Sequence, residues 1–415
     1  MTNCNLEGKK TGSVLRNSVY CPFASCPRSG LCSLLFSALV CSVSPAQFVR
    51  TEHPVSATEA RLGMSGAESG RVGALGISVR QGYLAGFGRI NRQGGVAGRK
   101  IRLIDYDDHY QVPDAVANTE RLINLDRAFA LVGYLGTSTS APVLSMITGA
   151  RIMLFAPTSG SLHLREPPSR LVFNLRASYL DEARLLVKHL VEDAGVRRIA
   201  LVDRRDEDGD AARQALDMSL AEHSLNLVSQ AGYLRNTLEA QEVFEQIAAG
   251  RPEAVILFGT YAPCAQFVDY ARQHGGRPWH FCCMSTVGVE EVQRLLGTRA
   301  EGIVSSQVVP SPVDLSLELV QDYQSDMDAL GYRNFDHMSL EAYVAARVFV
   351  AALQRATPAL TEEALANALL TGTFSYGPLT FGFDQNFQQR NHRVFLTQVS
   401  HGKLVPTEQI GPLAP

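Results

Sequence analysis

Hydroxyl-rich turns at the ends of short apolar runs are the groups best able to hold a small molecule in this 415-residue chain. Residues 129–133 run into Gly133-Tyr134-Leu135-Gly136-Thr137-Ser138-Thr139-Ser140, and residues 152–155 into Ala156-Pro157-Thr158-Ser159-Gly160-Ser161. Further on, 254–258 lead to Gly259-Thr260-Tyr261-Ala262-Pro263, and 280–284 to Ser285-Thr286-Val287-Gly288. If the runs are strands of an open parallel sheet, these turns lie where ligands bind, beyond the carboxyl ends of the strands and beside free helix N–H groups. The first two could cradle a carboxylate or another anionic oxygen, and the third offers an aromatic ring. Taken singly, each Ser or Thr reads as a helix cap. Four matching places read as a site.

Other chemistries lack their residues. Gly94-Gly95-Val96-Ala97-Gly98-Arg99-Lys100 has neither the spacing nor the strand-to-helix position of a phosphate loop and reads as a turn. No G-x-S-x-G elbow, H-E-x-x-H pair or G-x-G-x-x-G fingerprint occurs. The histidines are scattered without metal spacing. Arg204-Arg205-Asp206-Glu207-Asp208-Gly209-Asp210 reads as a solvated helix start, with acids on the positive end of the dipole. Five of the eight cysteines fall within the first 41 residues, with no C-x-x-C pair. Adjacent Cys282 and Cys283 point to opposite faces of an apolar strand and read as core thiols.

The elements that must position these turns alternate. A weak strand over 61–65 precedes a helix over 76–93, in which Val79, Tyr83, Phe87 and Ile90 recur three or four apart. Strands over 101–106, 129–133 and 152–155 are separated by helices over 113–126 and 139–148. The order then recurs: strands over 198–202, 225–229, 254–258 and 280–284, with helices over 210–222, 237–249 and 262–274. Such repetition predicts an α/β fold of two Rossmann-like lobes, each with a parallel sheet covered on both faces. After residue 303 come a strand (303–309), helices over 314–330, 339–354 and 362–370, and a terminal hairpin between 379–382 and 393–399.

Composition agrees with a folded, two- or three-domain chain: 46% of residues are apolar, 19% are charged, and the net charge is −3. The charge balance speaks against a nucleic-acid partner, which would require a basic surplus. Residues 31–44 form an uncharged apolar stretch behind Arg28, Lys9, Lys10 and Arg16, and Ser44-Pro45-Ala46 supplies a small-x-small cleavage site. We read residues 1–46 as a secretory signal too short to span a membrane, and 47–58 as a linker. The remainder carries 34 basic and 40 acidic residues. The expected location is the periplasm, peripheral to the membrane.

Six stretches carry a family resemblance: 82–108 (GYLAGFGRINRQGGVAGRKIRLIDYDD), 115–139, 154–160 (LFAPTSG), 173–182 (FNLRASYLDE), 254–263 (AVILFGTYAP) and 377–383. Over about residues 60–400 the chain resembles the branched-chain amino-acid type of periplasmic solute-binding protein, the receptor component of an ABC importer. The resemblance implies a type I periplasmic binding fold whose lobes are joined by three hinge crossings near 176, 305 and 375. Lobe 1 would then comprise 59–176 plus 306–374, and lobe 2 would comprise 177–305 plus 375–415. It also implies a small-molecule ligand, an ABC transporter permease as partner, no cofactor and no catalysis.

By the same resemblance Thr137, Thr158 and the N–H of Gly160 hold a carboxylate or carbonyl, and Tyr261 forms the aromatic wall opposite. Two positions depart from the family pattern. Ser285 stands where amino-acid binders carry a carboxylate for the ammonium, and Asp208 stands where an aromatic ring is usual. Since Ser285 cannot balance a buried ammonium, three ligands stay open: an uncharged amide, a carboxylate, or a cation held by Asp181 and Asp208. A ligand-sensing module on the same scaffold, acting on a partner protein, is the alternative role.

Overall fold

The computed structural model describes residues 55–413 apart from 235, 236, 238 and 239. The expected secretory signal lies outside the described residues, as does the linker up to residue 54. Among the described residues, none of the helices is long and apolar enough to cross a membrane.

The chain begins with β1 (Glu59–Gly66), α1 (Gly73–Arg92), β2 (Lys100–Asp107), α2 (Val112–Asn124) and β3 (Ala130–Val132). Then come α3 (Thr137–Ser140), α4 (Leu144–Ala150), β4 (Met153–Phe155) and β5 (Val172–Phe173). Pro113 and Asp114 open α2, fixing φ and complementing the helix dipole. These strands form one all-parallel sheet in the order β2-β1-β3-β4-β5.

The second series is α5 (Tyr179–Glu192), β6 (Ile199–Arg204), α6 (Glu207–Glu222), β7 (Ser229–Tyr233), α7 (Ala240–Ala249), β8 (Ala254–Leu257), α8 (Tyr261–His274), β9 (His280–Cys283), α9 (Val289–Leu296) and β10 (Val304–Gln307). Its strands make the parallel part of a second sheet, β10-β9-β8-β6-β7. All four residues of β8 are buried, as a strand covered on both faces requires.

The chain then returns to the first lobe with α10 (Glu318–Asp328), α11 (His337–Arg355), α12 (Glu362–Thr371), β11 (Phe374–Tyr376) and β12 (Leu379–Phe381). Helix α11 lies along α1. A Cβ added at Gly82 would come within 2.1 Å of the Ser339 carbonyl oxygen, and one at Gly86 within 2.5 Å of the Ala346 Cβ. Those two glycines, four apart, let the helices meet backbone to backbone. The chain ends in β13 (Phe395–Ser400) and β14 (Lys403–Thr407), antiparallel additions that extend the second sheet beyond β10.

Three expected elements form differently. The terminal hairpin does not pair 379–382 with 393–399: β12 pairs with β11, and β13 pairs with β10 and β14. The strand expected over 225–229 forms as β7, four residues later, because Leu225 and Leu227 pack against the core from the preceding loop. Helix α6 starts at Glu207, so the charged run lies in its capping turn.

Candidate functional site

The site is built from two turns that face each other across the lobes. In the first lobe, the chain leaves β3 through Gly133 and Gly136, both at positive φ. A Cβ at Gly136 would sit 2.3 Å from the Tyr110 hydroxyl, so the turn needs glycine for its conformation and its close approach. The four hydroxyl residues of α3 are fully buried. Thr139 and Ser140 turn their hydroxyls back to the carbonyls of Leu135 and Gly136. The Thr137 and Ser138 N–H groups and the Ser138 hydroxyl are left facing the other lobe.

Tyr110 joins them from the loop after β2. His109 and Tyr110 both have left-handed φ, near +51° and +58°, a conformation that costs a bulky residue energy. Asp107 accepts the His109 N–H at 2.8 Å and Asp108 the Tyr110 N–H at 2.9 Å, which holds the loop in place.

From the second lobe comes the β6–α6 turn. Asp206 caps α6 by accepting the N–H groups of Asp208 and Gly209. Arg204 and Asp208 are each only 3% exposed. The expected solvated helix start is therefore corrected: Arg204 pairs with Asp206 and, at 2.5 Å, with Asp208, and its guanidinium stacks over the Tyr110 ring. Dense charge signalled internal pairing here, a pattern that sequence spacing alone does not separate from a wet surface.

Asp208 is the centre of the arrangement. Its carboxylate accepts the Thr137 N–H at 2.7 Å, the Ser138 hydroxyl at 2.7 Å and N–H at 3.3 Å, and the Tyr110 hydroxyl at 2.9 Å, besides Arg204. Burial alone would push this carboxyl up. Arg204 and the donors of Thr137 and Ser138 outweigh burial and hold it down at about 2. The lobes are thus bridged by a saturated anion that belongs to the protein.

Beside the bridge lies a narrow, nearly filled cavity, lined from both lobes by Leu75, Leu135, Thr158, Phe258, Thr260 and Thr286. Asp208 and Arg204 form part of its wall. The Thr286 hydroxyl is shielded and has no hydrogen-bond partner among the described residues.

The remaining expected site residues fall in different places. Thr158 lines the cavity, although its N–H already donates to the Tyr134 carbonyl. The Thr137 hydroxyl pairs with that of Ser159 at 2.8 Å. Gly160 backs onto Tyr179, where a Cβ would come within 2.3 Å of the ring. Tyr261 stands at the lip of the cleft, beside the backbone of Ala74 and near Glu291 and Arg294. Ser285 faces the hinge, donating its N–H and hydroxyl to Glu182, both at 2.9 Å, and accepting from Arg176. Ser306 also donates to Glu182, at 2.6 Å. Asp181 makes a capping box with Ser178 and faces His392. Its partners and those of Asp208 have no residue in common among the described residues.

Sequence reasoning missed Tyr110, Arg204, Ser138, Tyr179 and Thr286. Arg204 left a trace inside the charged run, and Ser138 and Thr286 inside the hydroxyl-bearing turns. Among the described residues, no group of His, Cys, Asp or Glu is arranged to hold a metal ion. Cys264, Cys282 and Cys283 are buried free thiols, and burial pushes Cys282 up to about 12.

Asp203, one residue before Arg204, is buried with Gln230 as its hydrogen-bond donor at 2.6 Å. Burial, only partly offset by Gln230, lifts its carboxyl to about 6. A carboxyl raised in the folded state contributes stability below its unfolded value near 4 and loses it as pH rises through about 6. Asp203→Asn is therefore expected to raise the thermal midpoint at pH 8 relative to wild type and to narrow that gain at pH 4.5. Melting curves at the two pH values measure this. An equal effect at both would place the cause elsewhere.

The periplasmic binding protein family profile matches residues 59–403. A Pseudomonas aeruginosa protein named leucine-, isoleucine-, valine-, threonine-, and alanine-binding protein is 21% identical over 342 residues, which is 82% of this chain and 89% of that one. The Leu/Ile/Val-binding protein of Escherichia coli strain K12 is 22% identical over 60% of this chain and 67% of its own. Among solved structures, a possible leucine/isoleucine/valine-binding protein from Rhodopirellula baltica SH 1 superposes with a TM-score of 0.80 at 29% identity, covering 86% of this chain and 98% of that one. With its two parallel sheets and three passages between them, the chain belongs to the periplasmic binding protein family and has the type I fold.

Proposed function

We propose that this protein is the solute-binding component of an ABC importer, exported to the periplasm by its N-terminal signal and docking on a membrane permease. Its lobes close on a small solute and release it unchanged, making and breaking no bond. The observation that carries this reading is the cavity between the two sets of strand ends: both lobes supply its wall, and the Asp208 bridge to Thr137 and Ser138 ties them beside it. Relatives named as amino-acid-binding proteins support the receptor role. Lobe closure of this kind lets a ligand shift an equilibrium between open and closed forms.

The test is a thermal-shift screen of amino acids, short amides and small carboxylic acids on the purified protein. A cognate solute raises the midpoint progressively with concentration, as binding to the folded state alone requires. Substituting a bulky residue in the cavity wall, Thr158→Phe, should remove the shift. Undiminished binding to that variant would place the pocket elsewhere.

A further inference from the structure

The geometry points to Asp208 as the permanent anion of the Thr137–Ser138 cradle, so that the solute bound beside it is uncharged, with an apolar body and one group able to hydrogen-bond a hydroxyl. For the solute, this deepens the receptor reading and rests on it. The occupancy of the cradle stands on its own geometry.

Three observations lead there. First, the donors that cross from the first lobe are already used. The Thr137 N–H, the Ser138 N–H and hydroxyl, and the Tyr110 hydroxyl all end on Asp208. A solute carboxylate would find none of them free and would meet the Asp208 carboxylate instead.

Second, the cavity wall has no charge to spare. Its ionised side chains are Arg204 and Asp208, bound to each other at 2.5 Å, with Asp206 on the same guanidinium. Arg71 and His109 line an adjoining recess, not this cavity. An ionic group taken into such a wall would lose its hydration without gaining a partner, which is prohibitive beside the cost of a neutral polar group.

Third, the rest of the wall is aliphatic, aromatic and hydroxyl. Leu75, Leu135 and Phe258 supply the apolar surface, while Thr286 offers a buried hydroxyl that no described residue satisfies. A short-chain amide or alcohol meets both requirements, entering where the two lobes part.

The experiment pairs a truncation with its missing fragment. Asp208→Ala removes the carboxylate, whose place a small free carboxylate such as acetate can take. Added sodium acetate should raise the unfolding midpoint of the variant by several degrees, while leaving wild type unmoved and exceeding the effect of sodium chloride at equal ionic strength. Calorimetric titration then compares isovaleramide, isovalerate and leucine. Wild type is expected to bind isovaleramide and neither ion, and the variant to bind isovalerate at least tenfold more tightly than wild type does.

Wild type binding isovalerate or leucine as tightly as the variant would overturn the inference, because the cradle would then be open to solute. An acetate effect no greater than that of chloride would overturn it as well. Should acetate rescue the variant while no probe or screened solute binds wild type, the cradle assignment stands and the receptor reading falls. If the alanine variant does not fold, Asp208→Ser, with a shortened polar side chain, carries the same acetate test.

Discussion

Replacing Gly209 with alanine is expected to destabilise the protein by about 3 kcal/mol or more and to abolish solute binding. Alanine is the better helix former by about 1 kcal/mol, so helix propensity alone predicts a gain inside α6. The packing decides otherwise. A Cβ at this position would lie 1.7 Å from the Arg204 carbonyl oxygen and 2.8 Å from its carbon, both main-chain atoms that no rotamer change can move. Relief requires the β6–α6 turn to open, and that turn carries Arg204, Asp206 and Asp208. Urea unfolding and a solute titration measure the two effects. Gly276→Ala is the control, since its Cβ would meet open space. A Gly209→Ala protein as stable as that control would show that the turn is not under this constraint.

Arg204→Met should cost about 3–5 kcal/mol, the range found when one partner of a buried ion pair is removed. Asp208 would stay buried with its neutral donors and no cation, and its carboxyl would climb from its present value of about 2. The sign of the pH dependence then inverts. In wild type the depressed carboxyl contributes stability above its unfolded value near 4, lost as pH falls through about 2. In the variant, a carboxyl raised above its unfolded value favours acid, so Arg204→Met is expected to be more stable at pH 4.5 than at pH 7. The double variant Arg204→Met/Asp208→Leu should recover part of the loss, because it removes the stranded charge. A double variant no more stable than the single one would show that the pair does not act as a unit.

Much of the architecture was legible because it is local. Apolar runs bounded by turns, alternating with helical periodicity, located every parallel strand but two: β5 was not anticipated and β7 was placed four residues early. The four hydroxyl-bearing turns after β3, β4, β8 and β9 follow from strand ends alone. Asp208 stood out through the family resemblance, as an acid where that pattern has an aromatic residue. What pairs with it was not legible. Thr137 lies 71 positions away and Tyr110 lies 98 away, and each reaches Asp208 only because two separate sheets aim their ends at one place. Tyr110 also depends on two successive left-handed residues, which its sequence neighbours do not announce.

Asp181 is the opposite case. Ser178 and Asp181, three apart at the head of an apolar periodic stretch, already have capping-box spacing, and the side chain serves that cap. The terminal hairpin was misplaced because alternation identifies a strand and not its partner. Residues 395–400 find theirs in β10, almost a hundred positions earlier.

The pairing of α1 with α11 carries a consequence for how the molecule comes into being. Residues 82 and 86 are made early on the ribosome, yet the surface they complement, from Ser339 to Ala346, appears only after more than 250 further residues have been added. Until then the nascent first lobe lacks the cover of one of its principal helices, so its compact state must await nearly the whole polypeptide. Packing across this seam is therefore among the last contacts the growing chain can make.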